Sequence, residues 1–239
     1  MNELHETGRP FAKDEFLEKL KMDNEFSKKY GNKGVDQIKN IIESLKTNPY
    51  SRYHILNAWA AFDFKEMALP PCHLLYQFIV RPLTLEERID YWFHVKKPNR
   101  DVVDHFDEQT TEEKLSYFKG YIPEFYLDLN MYQRSCDTTL GVPYNLASMS
   151  ALLMIIAKVS NMIPGKAYWT GGDTHIYIPH IEKAKEQTLR TPYSLPTLEI
   201  TKDIQSLEDI LALNVDDFKL NNYENHPRIE FELFAGNKK

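Results

Sequence analysis

The sequence predicts an α/β (α+β) fold: a mixed β-sheet packed on a central helix, in a single domain over residues 1–239. Three observations lead there. Residues 73–80 (HLLYQFIV) are apolar at nearly every position, as in a strand buried on both faces. Residues 124–134 (EFYLDLNMYQR) alternate strictly, with Phe125, Leu127, Leu129 and Met131 facing one way and Tyr126, Asp128, Asn130 and Tyr132 the other. Residues 144–160 are apolar almost all round a helix, so that helix should be central and buried.

The remaining elements follow in chain order. Residues 12–30 carry Phe16, Leu20 and Phe26 among charges and read as one or two amphipathic helices, broken by Gly31 and Gly34. In 35–47, Val35, Ile38, Ile41, Ile42 and Leu45 share one helical face, and Asn48-Pro49 ends the helix. Residues 53–59 suit a strand. The segment 81–123 opens with Arg81-Pro82, is rich in charge and holds helical patterns near 84–95 and 111–119, so it reads as an insertion between two strands. Leu140-Gly141-Val142-Pro143 forms a turn before the apolar helix. A strand near 166–170, a helix near 178–189 and strands near 197–201 and 215–222 complete the chain. The irregular order of helices and strands implies a mixed sheet.

Composition narrows the function. The chain has 239 residues, 42% of them hydrophobic, which is enough for one sizeable core. A net charge of −6 offers no basic field for a nucleic acid polymer, although a few local arginines can hold a small anion. The two cysteines, Cys72 and Cys136, make no disulfide framework, and no Cys/His spacing suggests a metal. The N-terminus lacks an apolar signal core, and the apolar run Ala151 to Ala157 is too short to cross a bilayer. These features point to a cytoplasmic protein with reduced thiols.

Two segments carry chemistry. In MALPPCHLLYQF, Cys72 follows two prolines and precedes an apolar strand. The prolines stiffen the approach and remove two backbone donors. A rigid strand edge suits a nucleophile, but on this segment alone Cys72 reads more simply as a small buried apolar residue. In LNMYQRSCDTTLGVPYN, Gln133, Arg134, Ser135, Asp137 and Asn145 crowd the end of a strand and the start of a helix. Arg134 follows an apolar strand, where a bound anion would explain its charge and an ion pair with Asp137 would compete as the explanation.

Together these segments resemble the thymidylate synthase family. The stretches SRYHILNAW, MALPPCHLLYQF, YQRSCDTTLGVPYNLAS, WTGGDTHIY and DFKLNNYENHP carry the resemblance, which covers roughly residues 31–80 and 124–229. It implies reductive methylation of dUMP to dTMP, with 5,10-methylenetetrahydrofolate as co-substrate and no metal. Cys72 stands at the nucleophile position, as the thiolate that adds to C6 of dUMP. A neighbouring arginine favours the thiolate, and Arg134 stands where the family serves both phosphate and thiolate. Gln133, Ser135 and Cys136 fall among the nucleotide contacts. Asp137 matches the carboxylate at the pterin ring, and Leu140, Gly141 and Tyr144 the folate-side wall. Asn145 matches the amide that reads the uracil edge; relatives acting on dCMP carry Asp there. His175 and Tyr177 match the pair at the sugar 3′-hydroxyl. Arg52 matches an arginine that reaches across a homodimer to the partner's phosphate. The other histidines (His5, His54, His73, His94, His105, His180, His226) show no ligand spacing and read as surface or structural.

The sequence also departs from the family pattern. The resemblance implies an N-terminally abbreviated member, without the family's first arginine loop, its proton-relay glutamate and its folate-side tryptophans. The chain passes from KKYG directly to NKGVDQ, the second interface arginine is Tyr53, the family's Trp-Asn is Trp59-Ala60, and FELFAGNKK does not match the family's closing tail. These departures keep two alternatives open: a dUMP hydroxymethylase, akin to the deoxyuridylate and deoxycytidylate hydroxymethylases, and a catalytically weak nucleotide-binding or partner paralogue, or fragment.

Overall fold

The computed structural model describes residues 35–60, 67 and 69–234. The helices expected over 12–30 lie outside these residues. The first described helix, α1 (Gln37–Thr47), starts where the Asp36 side chain accepts from Lys39 N–H, and it buries Ile41, Ile42 and Leu45.

A four-stranded sheet follows, in the order β1 (Ile55–Asn57), β2 (His73–Pro82), β3 (Phe125–Asp137), β4 (Ile163–His175). β1 and β2, and β2 and β3, pair antiparallel, whereas β3 and β4 pair parallel. The sheet is therefore mixed, as expected. A parallel pair needs a crossover, and here it is α5 (Gly141–Val159). The core lies between this helix, α1 and one face of the sheet: Tyr76, Phe78, Leu127, Leu129 and Met131 pack against Met149, Leu153, Ile156 and the α1 residues.

Two burial expectations are corrected. The strand at 73–80 is covered on one face only, because Ile79 on the other face is 42% exposed. The helix at 144–160 is likewise not buried all round: Met149, Leu153, Ile156 and Ala157 are buried, while Tyr144, Leu146, Ser148 and Ser150 are exposed. It packs on the sheet as one layer, so its other side meets no second layer among the described residues. This helix has the length and mean hydropathy of 1.5 that would suit a membrane span, but it packs as the core helix between β3 and β4.

Residues 83–124 leave the sheet at β2 and return at β3. They form α2 (Leu85–Tyr91), which widens into a π-helical turn over Trp92–Lys96, then α3 (Arg100–Asp107) and α4 (Thr111–Phe118). Thr84 and Thr110 close capping boxes with Glu87 and Glu113, which explains the two helices visible in the sequence. The middle helix was not legible; Asn99 caps it through Val102 N–H. Trp92, Phe106, Phe118 and Ile122 make a separate small core, with the Trp92 and Phe106 rings 4.5 Å apart. The C-terminal part holds a 3₁₀ turn (Ile178–His180) leading into α6 (Ile181–Thr188), a hairpin of β5 (Thr197–Ile200) and β6 (Phe218–Asn221), and the short α7 (Leu207–Leu211) between those strands.

His54 joins α1 to the sheet. Its carbonyl accepts from Phe78 N–H at 2.9 Å, and its Nε2 shares a hydrogen bond with Ser44 Oγ at 2.9 Å. Burial pushes its imidazole below the ordinary value of 6.5, partly offset by the bond to Ser44. The unfolded chain therefore takes up a proton near pH 6.5 that the folded chain resists, so stability is full above that value and falls as the pH drops below it. Urea unfolding from about pH 7.5 to about pH 5.5 should show this loss, and His54→Gln should flatten the slope. An unchanged slope in the variant would remove His54 as its source.

Candidate active site

The sheet's hydrogen-bonding pattern assembles the site. In the parallel pair the carboxyl ends lie side by side: Ser135 is opposite Asp173, and Asp137 opposite His175. The antiparallel neighbour brings the start of β2 to the same place, with His73 opposite Gln133 and Arg134 N–H donating to the Cys72 carbonyl at 2.8 Å. Residues 72, 133–137 and 175 thus meet at one end of the sheet, although up to about a hundred positions separate them. Gly172 permits the close approach, since a Cβ there would stand 2.9 Å from the Arg134 carbonyl oxygen.

These residues line a cleft of about 640 Å³. The expected residues Cys72, Gln133, Arg134, Ser135, Asp137, Leu140, Gly141, Tyr144, Asn145, His175 and Tyr177 all lie on its wall. Two do not. Cys136 is fully buried, and its thiol donates to the Gln133 carbonyl at 3.4 Å. Arg52 is exposed and stands outside the cleft of its own chain.

Arg134 does not form the alternative ion pair with Asp137. Its Nε donates to the Pro71 carbonyl at 3.0 Å and one terminal nitrogen donates to the Pro70 carbonyl at 2.8 Å. Its guanidinium carbon also lies 5.8 Å from the Trp59 ring centre. The guanidinium thereby clamps the loop that carries Cys72. It has five N–H donors, so the clamp leaves donors for a ligand anion. Asp137 Oδ1 instead accepts from Thr139 N–H at 3.1 Å and from Thr139 Oγ at 2.8 Å.

Gln133 is 1% exposed, and both of its N–H donors and its amide oxygen are engaged. Its Oε1 accepts from Trp169 Nε1 at 3.0 Å, and its Nε2 donates to the Ser135 carbonyl at 3.0 Å and to Asn145 Oδ1 at 2.9 Å. The last bond fixes which way the Asn145 amide points. Asn145 keeps its N–H₂ and one Oδ1 lone pair for a ligand, a donor beside an acceptor. His175 Nδ1 donates to the Asp173 carbonyl at 3.2 Å, and its ring stands edge-on to Tyr177 at 5.2 Å.

The family pattern of thymidylate synthase matches residues 17–235. The chain belongs to the thymidylate synthase family. Similar proteins include the thymidylate synthase of Saccharomyces cerevisiae, 38% identical over 204 residues (85% of this chain, 55% of that protein). The thymidylate synthase of Mycoplasma mobile is 35% identical over 231 residues (92% and 65%). The bifunctional dihydrofolate reductase-thymidylate synthase of Plasmodium chabaudi is 37% identical over 206 residues (86% and 28%). The chain spans between about half and two thirds of the first two relatives.

Several cleft residues of this family member were not singled out from the sequence. His73, read there as structural, lies on the wall, and its Nδ1 is buried without a hydrogen-bond partner among the described residues. Its position directly after Cys72 was the available signal. Leu233 and Phe234 also line the cleft, so the last described residues of the chain reach the site.

Gln133 is the structural keystone of the amide ladder. Gln133→Leu would leave Trp169 Nε1, Asn145 Oδ1 and the Ser135 carbonyl without this partner in a part-buried setting. The combined cost should be about 1–3 kcal/mol, because the cleft-facing groups can turn to solvent. Urea denaturation should register a loss in that range; a variant as stable as wild type would show the ladder to be dispensable.

Proposed function

We propose that this chain catalyses reductive methylation of dUMP to dTMP with 5,10-methylenetetrahydrofolate as co-substrate. The observation that carries the reading is the presence of Cys72 and a pre-oriented Asn145 amide in one cleft. The names of the similar proteins favour methylation over hydroxymethylation.

In this reading the uracil ring lies against Asn145, whose N–H₂ donates to O4 and whose Oδ1 accepts from N3–H. Arg134, with Ser135 beside it, holds the phosphate, and His175 and Tyr177 receive the sugar 3′-hydroxyl. The Cys72 thiolate adds to C6, and the displaced π electrons make C5 nucleophilic. C5 then attacks the methylene carbon of the folate. Loss of the C5 proton expels the folate nitrogen and leaves an exocyclic methylene. Hydride from the folate adds to that carbon as the 5,6 double bond re-forms and the Cys72 thiolate leaves. The other side of the cleft suits a reduced folate: Leu140, Gly141, Tyr144, Leu233 and Phe234 offer a wall for a flat ring, and Asp137 a carboxylate acceptor. A folate bound there supplies the one-carbon unit and the hydride. The cleft volume of about 640 Å³ falls within the usual range for ligand sites.

The same reading includes a homodimer. The sheet face opposite α5 exposes Ile55, Ile79, Tyr132 and Tyr168 across its four strands, an apolar surface suited to a second copy. Arg52, outside its own cleft, is then available to the partner's phosphate site. A cytoplasmic setting agrees with both cysteines being free thiols.

Incubation with dUMP and methylenetetrahydrofolate should yield dTMP and dihydrofolate in equal amounts. A hydroxymethylated nucleotide with tetrahydrofolate would overturn the methylation reading. With 5-fluoro-dUMP and the folate, mass spectrometry should find a covalent adduct that Cys72→Ser abolishes and Cys136→Ser retains. For base choice, Asn145→Asp should shift the ratio of kcat/KM from dUMP towards dCMP by at least about tenfold, the effect of one well-placed hydrogen-bond pattern. An unchanged ratio would take base reading away from Asn145.

A further inference from the structure

His180 is 2% exposed and sits outside the cleft, yet both of its ring nitrogens are engaged. Nε2 lies 2.8 Å from the Glu232 carbonyl oxygen; a carbonyl only accepts, so Nε2 carries a hydrogen. Nδ1 lies 2.8 Å from Thr139 Oγ. The Thr139 hydroxyl is in turn 2.8 Å from Asp137 Oδ1. A chain of close polar contacts therefore runs from a carboxylate on the cleft wall, through one hydroxyl and one imidazole, to the backbone of the C-terminal segment. The single Thr139 hydroxyl hydrogen serves either Asp137 or His180 Nδ1, and both links are hydrogen bonds together only when Nδ1 also carries a hydrogen. That segment places Leu233 and Phe234 on the same cleft. Aromatic contacts reinforce the attachment: the His180 ring is 5.1 Å from Phe231 and 5.3 Å from Phe234, and Phe234 is 4.8 Å from Tyr177.

The segment has other fastenings along α6. Arg190 donates to the Pro227 carbonyl at 2.7 Å, and Lys183 donates to the Glu230 carbonyl. Both are exposed contacts that end on the backbone. The His180 contact alone among these three continues into the cleft. Thr139 has a single hydroxyl hydrogen, so its orientation towards Asp137 or towards His180 depends on where the neighbouring protons lie. The position of the tail and the hydrogen bonding of Asp137 are thus not independent.

We propose that Thr139 and His180 are positioning residues that couple seating of residues 230–234 to the orientation of the Asp137 carboxylate, so that the folate-side ligand and the tail are bound as one unit. The proposal rests on the reading of Asp137 as the folate-side acceptor. Thr139 sits beside the ligand wall without lining it, and His180 reaches the ligand only through Thr139. The relay therefore acts first on the second substrate. On the nucleotide side the tail meets Tyr177 through Phe234, while the hydrogen bonds that orient Arg134 and Asn145 come from other residues.

Thr139→Val keeps the shape and removes the hydroxyl, whereas Thr139→Ser keeps the hydroxyl. In Thr139→Val, KM for methylenetetrahydrofolate should rise at least about tenfold, the loss of one hydrogen bond at about 1.4 kcal/mol. KM for dUMP should change by less than about twofold, and Thr139→Ser should recover most of the folate affinity. His180→Gln should produce the same split with a smaller rise, because its amide can donate to Glu232 or accept from Thr139. A second readout needs no turnover: hydrogen–deuterium exchange of the amides at 230–234 in the free protein should speed up in Thr139→Val and stay at wild-type rates in Thr139→Ser. Unchanged exchange in Thr139→Val overturns the relay, whatever the enzyme does. Faster exchange with an unchanged folate KM overturns the coupling while leaving the assignment of the site intact. Equal rises in both KM values would show a general loss of structure, and would likewise overturn it.

Discussion

Everything at the site depends on β3 being paired on both sides at its carboxyl end. On one side it meets β4 in parallel, and on the other the start of β2 in antiparallel. Parallel pairing aligns carboxyl ends and so sets Asp137 beside His175. It also demands a crossover, and α5 supplies it, starting at Gly141 with Tyr144 and Asn145 on its first turns. The antiparallel contact adds the Cys72 loop. Pro70 and Pro71 have no N–H to offer and present carbonyls, which the Arg134 guanidinium takes up. One cation thus orders the loop ahead of the nucleophile while retaining donors for an anion.

The polar groups of the cleft are held by their neighbours more than by solvent. Gln133 is surrounded by Trp169, Ser135 and Asn145, which take both of its N–H donors and engage its oxygen. A buried amide in that state has one orientation, and it passes that orientation to Asn145. Asp137 is treated in the same way by Thr139, which shares it with His180. Fixed dipoles of this kind need little reorganisation when a ligand arrives. The apolar side of the cleft is the more exposed one, with Tyr144 and Leu233 open to solvent and the tail attached by backbone contacts.

The helical segment between β2 and β3 stands apart from this chemistry. Its core of Trp92, Phe106, Phe118 and Ile122 is distinct from the main cluster, and none of its residues lines the cleft. Arg88 is buried beside it, donating to the Ile122 carbonyl at 3.3 Å, and burial pulls its guanidinium below the ordinary range. The segment can vary without moving the site because both of its ends are anchored in one strand pair, Pro82 opposite Phe125.

Local patterns and wording made much of the protein legible. The alternation of 124–134 and the capping residues before 85 and 111 are properties of adjacent residues, and the structure keeps them. Arg134, Asp137 and Asn145 stood out as polar side chains crowded beside an apolar strand, whereas Cys72 was singled out by the resemblance to the family. Other features depend on what lies opposite. Whether an apolar face is covered is a property of a neighbouring layer, so the sequence alone overstated the burial of 73–80 and of 144–160. The turn over 207–211 was missed because a single helical turn has too little periodicity to see. Arg134 turning to Pro70 and Pro71 is a contact across 63 positions that strand pairing sets, and Gln133 facing inward to hold Asn145 depends on how α5 packs against β3. Sequence by itself determined which polar side chains stand at the end of β3 and the start of α5. The tertiary structure decided which of them face one another, because hydrogen-bond direction and strand register exist only once distant segments are paired.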